Sequence, residues 1–386
     1  MAAASAPLTH DFTPALTAVD SYHEYSASPL SGGLVNLTVR VNISDAKGDH
    51  ECPFGDARSV VAKYAPAFIA SIGESAPFSQ YRQVIEARAL ALLSQPSVSA
   101  YIESSNVTFP KLVHHNPNVN VLVMSDLGNA QTLDKWLISD SDTEAAAGVG
   151  KHFGEFLARL GSVAEYIKQG DNHLNLFEYF DNPSAQELIF SVAIGTIESH
   201  LLKCRYDPAD AAFVGKLCIS SHERQRARLK RCESGVFGIG DSWPRSFLVG
   251  GKAHELKLSV VDWEFARMIS PLIDLSQLCA HLYLLCRTSS SEVKSRVKAY
   301  TLSMVRAHHA HAPEWQYQNE YRSDAWTLFG CEIINNVLEF DWWNEDQAKQ
   351  QADIKVLGAQ GAAFVKEAEQ RGHKGGPLFE DVFGAL

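Results

Sequence analysis

The stretch GIGDSWPRSFLVGGKAHELKLSVVDWEFA, residues 238–266, interrupts a long helical region with two short apolar runs, 247–249 and 256–261, on either side of Gly250 and Gly251. Short runs rich in Val, Leu and Phe, separated by a glycine pair, predict a β-hairpin with the glycines in its turn. Asp241 precedes the hairpin and Asp262 directly follows it, so the open end of the hairpin would turn both carboxylates towards one cleft. Asp241 lies in a Gly- and Trp-Pro-containing loop, the kind of rigid irregular segment that displays reactive side chains. A carboxylate at a strand's end suits a hard cation such as Mg²⁺. Each aspartate also has a plain reading, a turn residue for Asp241 and a helix cap for Asp262.

Upstream, residues 34–41, 59–65 and 119–127 alternate or cluster strand formers and predict a sheet. Between the last two, Ile85, Ala89, Leu92 and Leu93 recur at helical spacing over 80–93, which predicts one helix against that sheet. Residues 128–142 are polar and turn-rich and read as a connector with a first short helix. From about residue 143 the pattern becomes helical, with Val149, Phe153, Phe156, Leu157 and Leu160 on one stripe, and 186–203, 212–232, 272–287 and 325–343 continue it. A strand-rich part and a helix-rich part are expected, divided near residues 127 and 128. The 386 residues exceed one comfortable hydrophobic core, in keeping with two lobes.

The order of residue types suits phosphoryl transfer, which needs positioned phosphates, a charge clamp and a carboxylate to orient the attacking hydroxyl. Lys63 on a strand and Glu86 on the following helix offer an ion pair that would aim an ammonium at phosphates; the plain reading is two surface charges. The turn SGGLVN, residues 31–36, holds Gly32, Gly33 and Asn36 ahead of a strand and could lay backbone N–H groups over phosphates, although a glycine pair before a strand is more often a plain turn and the full spaced-glycine pattern is lacking.

The run VVDWEFARMISPLIDLSQL, residues 260–278, resembles the I-D-W-E…P…D-L signature of the aminoglycoside phosphotransferase, choline kinase and methylthioribose kinase superfamily. LSGGLVNLTVRV and SVVAKYAPAFIA further resemble its methylthioribose-kinase-like branch, which includes the fungal 4-hydroxytryptamine kinases. The resemblance implies an α+β, bilobal, protein-kinase-like fold. An antiparallel-sheet N-lobe with one main helix would span residues 1–127, and a mostly helical C-lobe residues 128–386. It implies ATP and Mg²⁺ as cofactors and a small-molecule hydroxyl as acceptor. Lys63 would hold the α/β-phosphates, with Glu86 positioning it. Residues 123–128, with Met124, Asp126 and Leu127, would form the hinge that meets adenine. Asp241 would be the base, Asp262 would chelate Mg²⁺, and Asp274 would brace the catalytic loop.

The family loop reads H-G-D-x-x-x-x-N, whereas this chain has IGDSWPRS, with Ile239 for the histidine and Ser246 at the position of the second metal ligand. A hydroxyl is a poorer Mg²⁺ ligand than the asparagine amide, which opens an alternative reading as a pseudokinase, a nucleotide-binding or scaffolding protein with weak or no turnover. Arg245 could touch a phosphate or form a structural salt bridge. A second departure is Gly161, where the family often has histidine.

A formal net charge of −11 opposes nucleic-acid or anionic-membrane partners, and the basic run 222–231 reads as a solvated helix face. Seven cysteines without a C-x-x-C pair suggest free thiols, and no signal peptide or membrane span is evident, so a cytoplasmic location is expected. The run HHAHAP, residues 308–313 with His308, His309 and His311, reads as a surface loop, with transition-metal binding as the rarer alternative. The cluster FDWWNED, residues 340–346, reads as core packing with a polar helix end, or as an amine-binding wall.

Overall fold

The computed structural model describes residues 9–30, 33–44, 54, 57–139, 141–169, 174–232, 234–252, 255–338 and 347–386. The chain divides into two compact units. The sheet unit comprises residues 1–95, 109–128 and 263–265, and the helical unit comprises 96–108, 129–262 and 266–386. The α+β class expected from the sequence is the one observed.

In the sheet unit the elements are α1 (Thr13–Val19), β1 (Tyr25–Pro29), β2 (Leu37–Ile43), β3 (Ser59–Tyr64), α2 (Arg82–Leu93), β5 (Leu112–Asn116) and β6 (Val121–Ser125). Five strands form an antiparallel sheet in the order β1-β2-β3-β6-β5, with Lys63 opposite Thr38 on one side and Leu122 on the other. Strand alternation buries Val41, Val60, Ala62, Val121 and Val123 against Phe12, Ala15 and Leu16 of the α1 segment. The opposite pleat of β3 carries Val61 and Lys63. Helix α1 and strand β1 go beyond the expected elements, because α1 has only seven residues and begins with Pro14 at its first turn, too short for a periodic stripe to stand out.

The helical unit holds α3 (Pro96–Glu103), β4 (Val107–Thr108), β7 (Ala130–Thr132), α4 (Leu133–Ser139), α5 (Thr143–Gln169), α6 (Leu176–Tyr179), α7 (Pro183–Ile189), α8 (Ile197–Lys203) and α9 (Pro208–Lys230). It continues with β8 (Val236–Gly238), β9 (Phe247–Lys252), β10 (Glu255–Val260), β11 (Arg267–Ile269), α10 (Ile273–Thr288), α11 (Ser291–His311), α12 (Asn319–Asn336), α13 (Gln347–Lys366), α14 (Ala368–Gly372) and α15 (Glu380–Ala385). Helices α5 and α11 pack along their lengths. A Cβ on Gly150 or Gly154 would stand 2.2 Å from the carbonyl oxygen of Tyr300 or Met304, so glycine sets how closely these helices approach. The α12 aromatics Trp326 and Phe329 lie 4.5 Å, centroid to centroid, from Phe379.

Three expectations change. Gly250 and Gly251 lie inside β9 rather than in the turn, because the register pairs Lys252 with Glu255 and Gly250 with Ala130 of β7. Gly251 has φ +85°, and a Cβ there would meet the Glu255 carbonyl oxygen at 2.2 Å. The helix expected at 186–203 is broken by a π-helical turn at Phe190–Ile194. His308, His309 and His311 end helix α11 rather than forming a loop, and buried His308 meets the Tyr317 hydroxyl at 2.8 Å. The cluster at 340–346 lies outside the described residues. Among the described residues no helix is long and apolar enough to cross a membrane.

Candidate active site

Within the sheet unit, β3 presents Lys63 and α2 presents Glu86, whose Oε1 lies 2.7 Å from the Lys63 Nζ; the side chains are 9% and 1% exposed. This is a buried ion pair rather than two surface charges. The Gln83 amide, one turn before Glu86, donates to the Lys63 carbonyl oxygen at 3.0 Å and fixes the register between helix and strand.

Asn36 is buried, and both ends of its amide are engaged: Nδ2 donates to Glu264 Oε2 at 2.7 Å, and Oδ1 accepts from Arg82 Nε at 3.0 Å. Arg82, which sequence reasoning passed over, is fully buried. It ion-pairs with Glu264 at 3.3 Å and donates to the carbonyls of Phe78, Ser79 and Pro66. A guanidinium tolerates such burial only when its donors are satisfied. Burial nevertheless lowers its pKa, with Glu264 and Glu86 working in the opposite direction. The carbonyls of Leu34 and Val35 are tied to the N–H groups of Ser71 and Ala70, Gly33 is exposed, and Gly32 lies outside the described residues.

Of the expected hinge residues, Met124 is buried on β6 and Leu127 is half-buried. The Asp126 carboxylate accepts from Arg40 Nε at 2.6 Å, Ser59 Oγ at 2.7 Å and the Gly128 N–H at 2.9 Å. Burial works to raise the Asp126 pKa, but these donors hold it below the ordinary carboxylate range.

In the helical unit, the loop after β8 presents Asp241 under close constraint. Asp274, in the first turn of α10, accepts the N–H groups of Ile239 at 2.7 Å and Gly240 at 3.0 Å. Gly238 leaves room for this approach, since a Cβ there would lie 2.6 Å from Asp274 Oδ2. Asp274 therefore braces the loop, and the cap position of α10 is Leu272 with φ 70°. Asp241 Oδ1 accepts from Gln277 Nε2 at 2.9 Å, and Gln277 Oε1 accepts the Ser242 N–H at 2.8 Å.

Burial and the charge of Asp262 push the Asp241 pKa up to about 6, against the Gln277 hydrogen bond and the nearby Arg267. Asp274 is likewise pushed up to about 6 by burial, against its two N–H donors and Arg267. Asp262 has φ 71°, a left-handed conformation that aspartate tolerates and that concentrates at functional sites. No helix starts after it, so it is not a cap.

Ser246 is buried in a 3₁₀ turn, its Oγ 3.5 Å from the Asp241 carbonyl oxygen and its own carbonyl accepting the Val261 N–H at 2.9 Å. Arg245 lies 3.6 Å from Asp134 and its guanidinium covers the Trp243 ring at 5.3 Å, the structural arrangement. On α12, Glu332 is buried, takes a hydrogen bond from Asn336 at 2.9 Å and lies 3.8 Å from His281. Burial and the Asp241 charge raise the Glu332 pKa to about 7, while burial lowers that of His281 to about 3, so the contact is not an ion pair at neutral pH.

Gln277, Arg267, Arg82 and Glu332 were missed by sequence reasoning. Only Gln277 carried a usable signal, standing three residues after Asp274 on the same helix face.

No family model matches the chain. The 4-hydroxytryptamine kinase of Psilocybe cyanescens is 24% identical over 283 residues, spanning 72% of this chain and 73% of the relative. Among solved structures, a microcompartment-associated aminopropanol kinase matches with TM-score 0.47 and 12% identity over 94% of this chain and 98% of its own. An ethanolamine kinase of Plasmodium vivax matches with TM-score 0.44 and 12% identity over 89% and 81%. The sequence similarity to the hydroxytryptamine kinase falls on the branch that the motifs resemble. With both TM-scores below 0.5, the kinase-like reading of the fold rests on the order of elements: sheet, lysine strand, glutamate helix, then aspartate loop, hairpin and Asp262.

Proposed function

We propose that the chain is an ATP-dependent phosphotransferase that moves the γ-phosphoryl group to a hydroxyl of a small molecule. The sheet unit is its nucleotide-binding part and the helical unit its catalytic part. The observation that carries the reading is the buried Lys63–Glu86 pair at 2.7 Å, which holds an ammonium in a fixed place on a strand where it can serve the nucleotide phosphates.

Asp241 is the base. Its raised pKa leaves it ionised above about pH 6 yet more basic than an ordinary aspartate, which suits acceptance of the hydroxyl proton as the oxygen attacks phosphorus and ADP departs. The oxygen donors of Asp262 and Ser246 fit Mg²⁺, which commonly takes only one or two protein ligands and completes its shell with water and phosphate oxygens. When bound, the ion would neutralise charge developing on the transferred group. Among the described residues no cluster of three His, Cys, Asp or Glu side chains offers a denser metal site. The relative acts on a hydroxytryptamine by its name, and the acidic surroundings of Asp241 favour a cationic acceptor, so amine-bearing alcohols and phenols head the candidates.

The test is ATP consumption with Mg²⁺ against a panel of hydroxylated amines, hydroxytryptamines included. Asp241→Asn should lower turnover by about 10²–10⁴-fold with the fold intact; unchanged turnover would remove Asp241 from its role. Ser246 favours a second reading, a nucleotide-binding protein without turnover, because its hydroxyl replaces a stronger metal ligand. Binding of an ATP analogue without consumption of ATP by any acceptor would select it.

A further inference from the structure

Asp274 and Gln277 stand one turn apart on α10, and their side chains divide the adjoining loop between them. Asp274 takes the backbone N–H groups of Ile239 and Gly240. Gln277 takes the next two residues in a different manner, accepting the Ser242 N–H at 2.8 Å with Oε1 and donating to the Asp241 carboxylate at 2.9 Å with Nε2. These two bonds fix the sense of the amide, since a flipped amide would set NH₂ against an N–H and a carbonyl oxygen against a carboxylate. The backbone has independent anchors in Asp274, in the Ser246 N–H bond to the Trp243 carbonyl oxygen, and in the β8–β11 ladder. Gln277 is half-buried and adds a constraint on a side chain that those anchors cannot impose.

We propose that Gln277 is the positioning residue for Asp241: by occupying Oδ1 it sets the plane of the carboxylate and leaves Oδ2 to receive the acceptor's proton. This rests on the phosphotransferase reading above. The role is separate from that of Asp274, which places the loop, whereas Gln277 places the reacting group. Loss of Gln277 would leave Asp241 in the right segment with a carboxylate free to turn, and a displacement of about 1 Å in a reacting group costs about 10²-fold in rate.

The full-length protein is assayed with whichever acceptor of the panel is turned over. Gln277→Leu removes both hydrogen bonds, and Gln277→Glu keeps an acceptor for Ser242 while replacing the donor to Asp241 with a repelling oxygen. Both variants should lose about 10²-fold in kcat while KM for ATP stays within about threefold, with no more than the modest fall in melting temperature that the lost hydrogen bonds entail. If one variant fails to fold, the other is read. A kcat within about threefold of wild type in a folded variant overturns the inference alone. A fall in kcat that comes with a larger fall in melting temperature and a raised KM for ATP also overturns it, since that pattern marks a structural residue. A wild-type protein that consumes no ATP with any acceptor overturns the proposed function, and this inference with it.

Discussion

In the sheet unit the buried carboxylates Glu86, Glu264 and Asp126 each lie against a cation, Lys63 at 2.7 Å, Arg82 at 3.3 Å and Arg40 at 2.6 Å. In the helical unit Asp241 feels the charges of Asp262 and Asp274, and Glu332 in turn feels the charge of Asp241. The outcome differs in sign. Asp126 titrates below the ordinary range although burial works against it, whereas Asp241 and Asp274 rise to about 6 although Arg267 works to lower them. Burial works to raise all three; at Asp126 the surrounding donors outweigh it, whereas at the more deeply buried Asp241 and Asp274 it outweighs Arg267 and the hydrogen bonds, and at Asp241 the Asp262 charge adds to it. In the helical unit the charges of Asp262 and Asp274 add to burial at Asp241, a negative cluster that a divalent ion or a cationic acceptor would relieve.

The sharpest way to break this comparison is to unpair the sheet unit. Lys63→Met removes the cation at 2.7 Å from Glu86, and Glu86→Leu removes the anion at that distance from Lys63; each should cost about 3–5 kcal/mol in denaturant unfolding. The double variant should recover much of that loss, because an apolar pair needs no counter-charge. Single variants costing under about 1 kcal/mol would mean that the pair behaves as an exposed one, and the contrast with the helical unit would fail.

The next test titrates the helical unit. Glu332 has a folded pKa of about 7 against an ordinary 4.5. Below 4.5 both folded and unfolded chains hold the proton. Between the two values only the folded chain does, so stability falls as pH rises through this window and the loss is complete above about 7. A shift of this size corresponds to about 3 kcal/mol. Glu332→Gln should therefore be more stable than wild type at pH 8 by about that amount and match it at pH 4. Asp241, Asp274 and the α12 residue Asp324, raised by burial against Arg228 and Ser221, share the sign but rise only to about 6, so the slope remaining in the variant should lie mainly below pH 6. An unchanged slope between pH 6 and 8 would show that Glu332 is not the group responsible.

How far the two regions could be read from sequence follows the same divide. Lys63 and Glu86 announced themselves through a strand and a helix 23 residues apart, since local pattern places both. The hairpin is legible, but its turn is not: a glycine pair favours a turn, whereas Gly250 and Gly251 let β7 and the Glu255 backbone approach β9. Asn36 shows the limit. Its side-chain amide is held by Arg82 and by Glu264, the latter 228 residues away, a pairing that no local spacing encodes. Arg82 was hidden in the same way, as a charge inside an apolar helix whose acceptors come mainly from the surrounding loops. Glu332 was invisible because burial, which gives it its altered titration, is a property of packing between α10 and α12.

The smallest expected effect tests whether the helical unit contributes a phosphate clamp of its own. Arg245 stands four residues after the loop aspartate in sequence, but its guanidinium lies 3.6 Å from Asp134 and over Trp243, with about a third of the side chain exposed. A pair of this geometry is worth about 0–1 kcal/mol, so Arg245→Leu should change unfolding free energy by no more than that. If Lys63 is the cation that serves the nucleotide, the same variant should leave KM for ATP within about threefold of wild type. A rise of about tenfold in that KM, with stability unchanged, would mean that Arg245 leaves Asp134 for a phosphate when nucleotide binds. The helical unit would then hold a movable cation, and its negative cluster would be partly relieved from within.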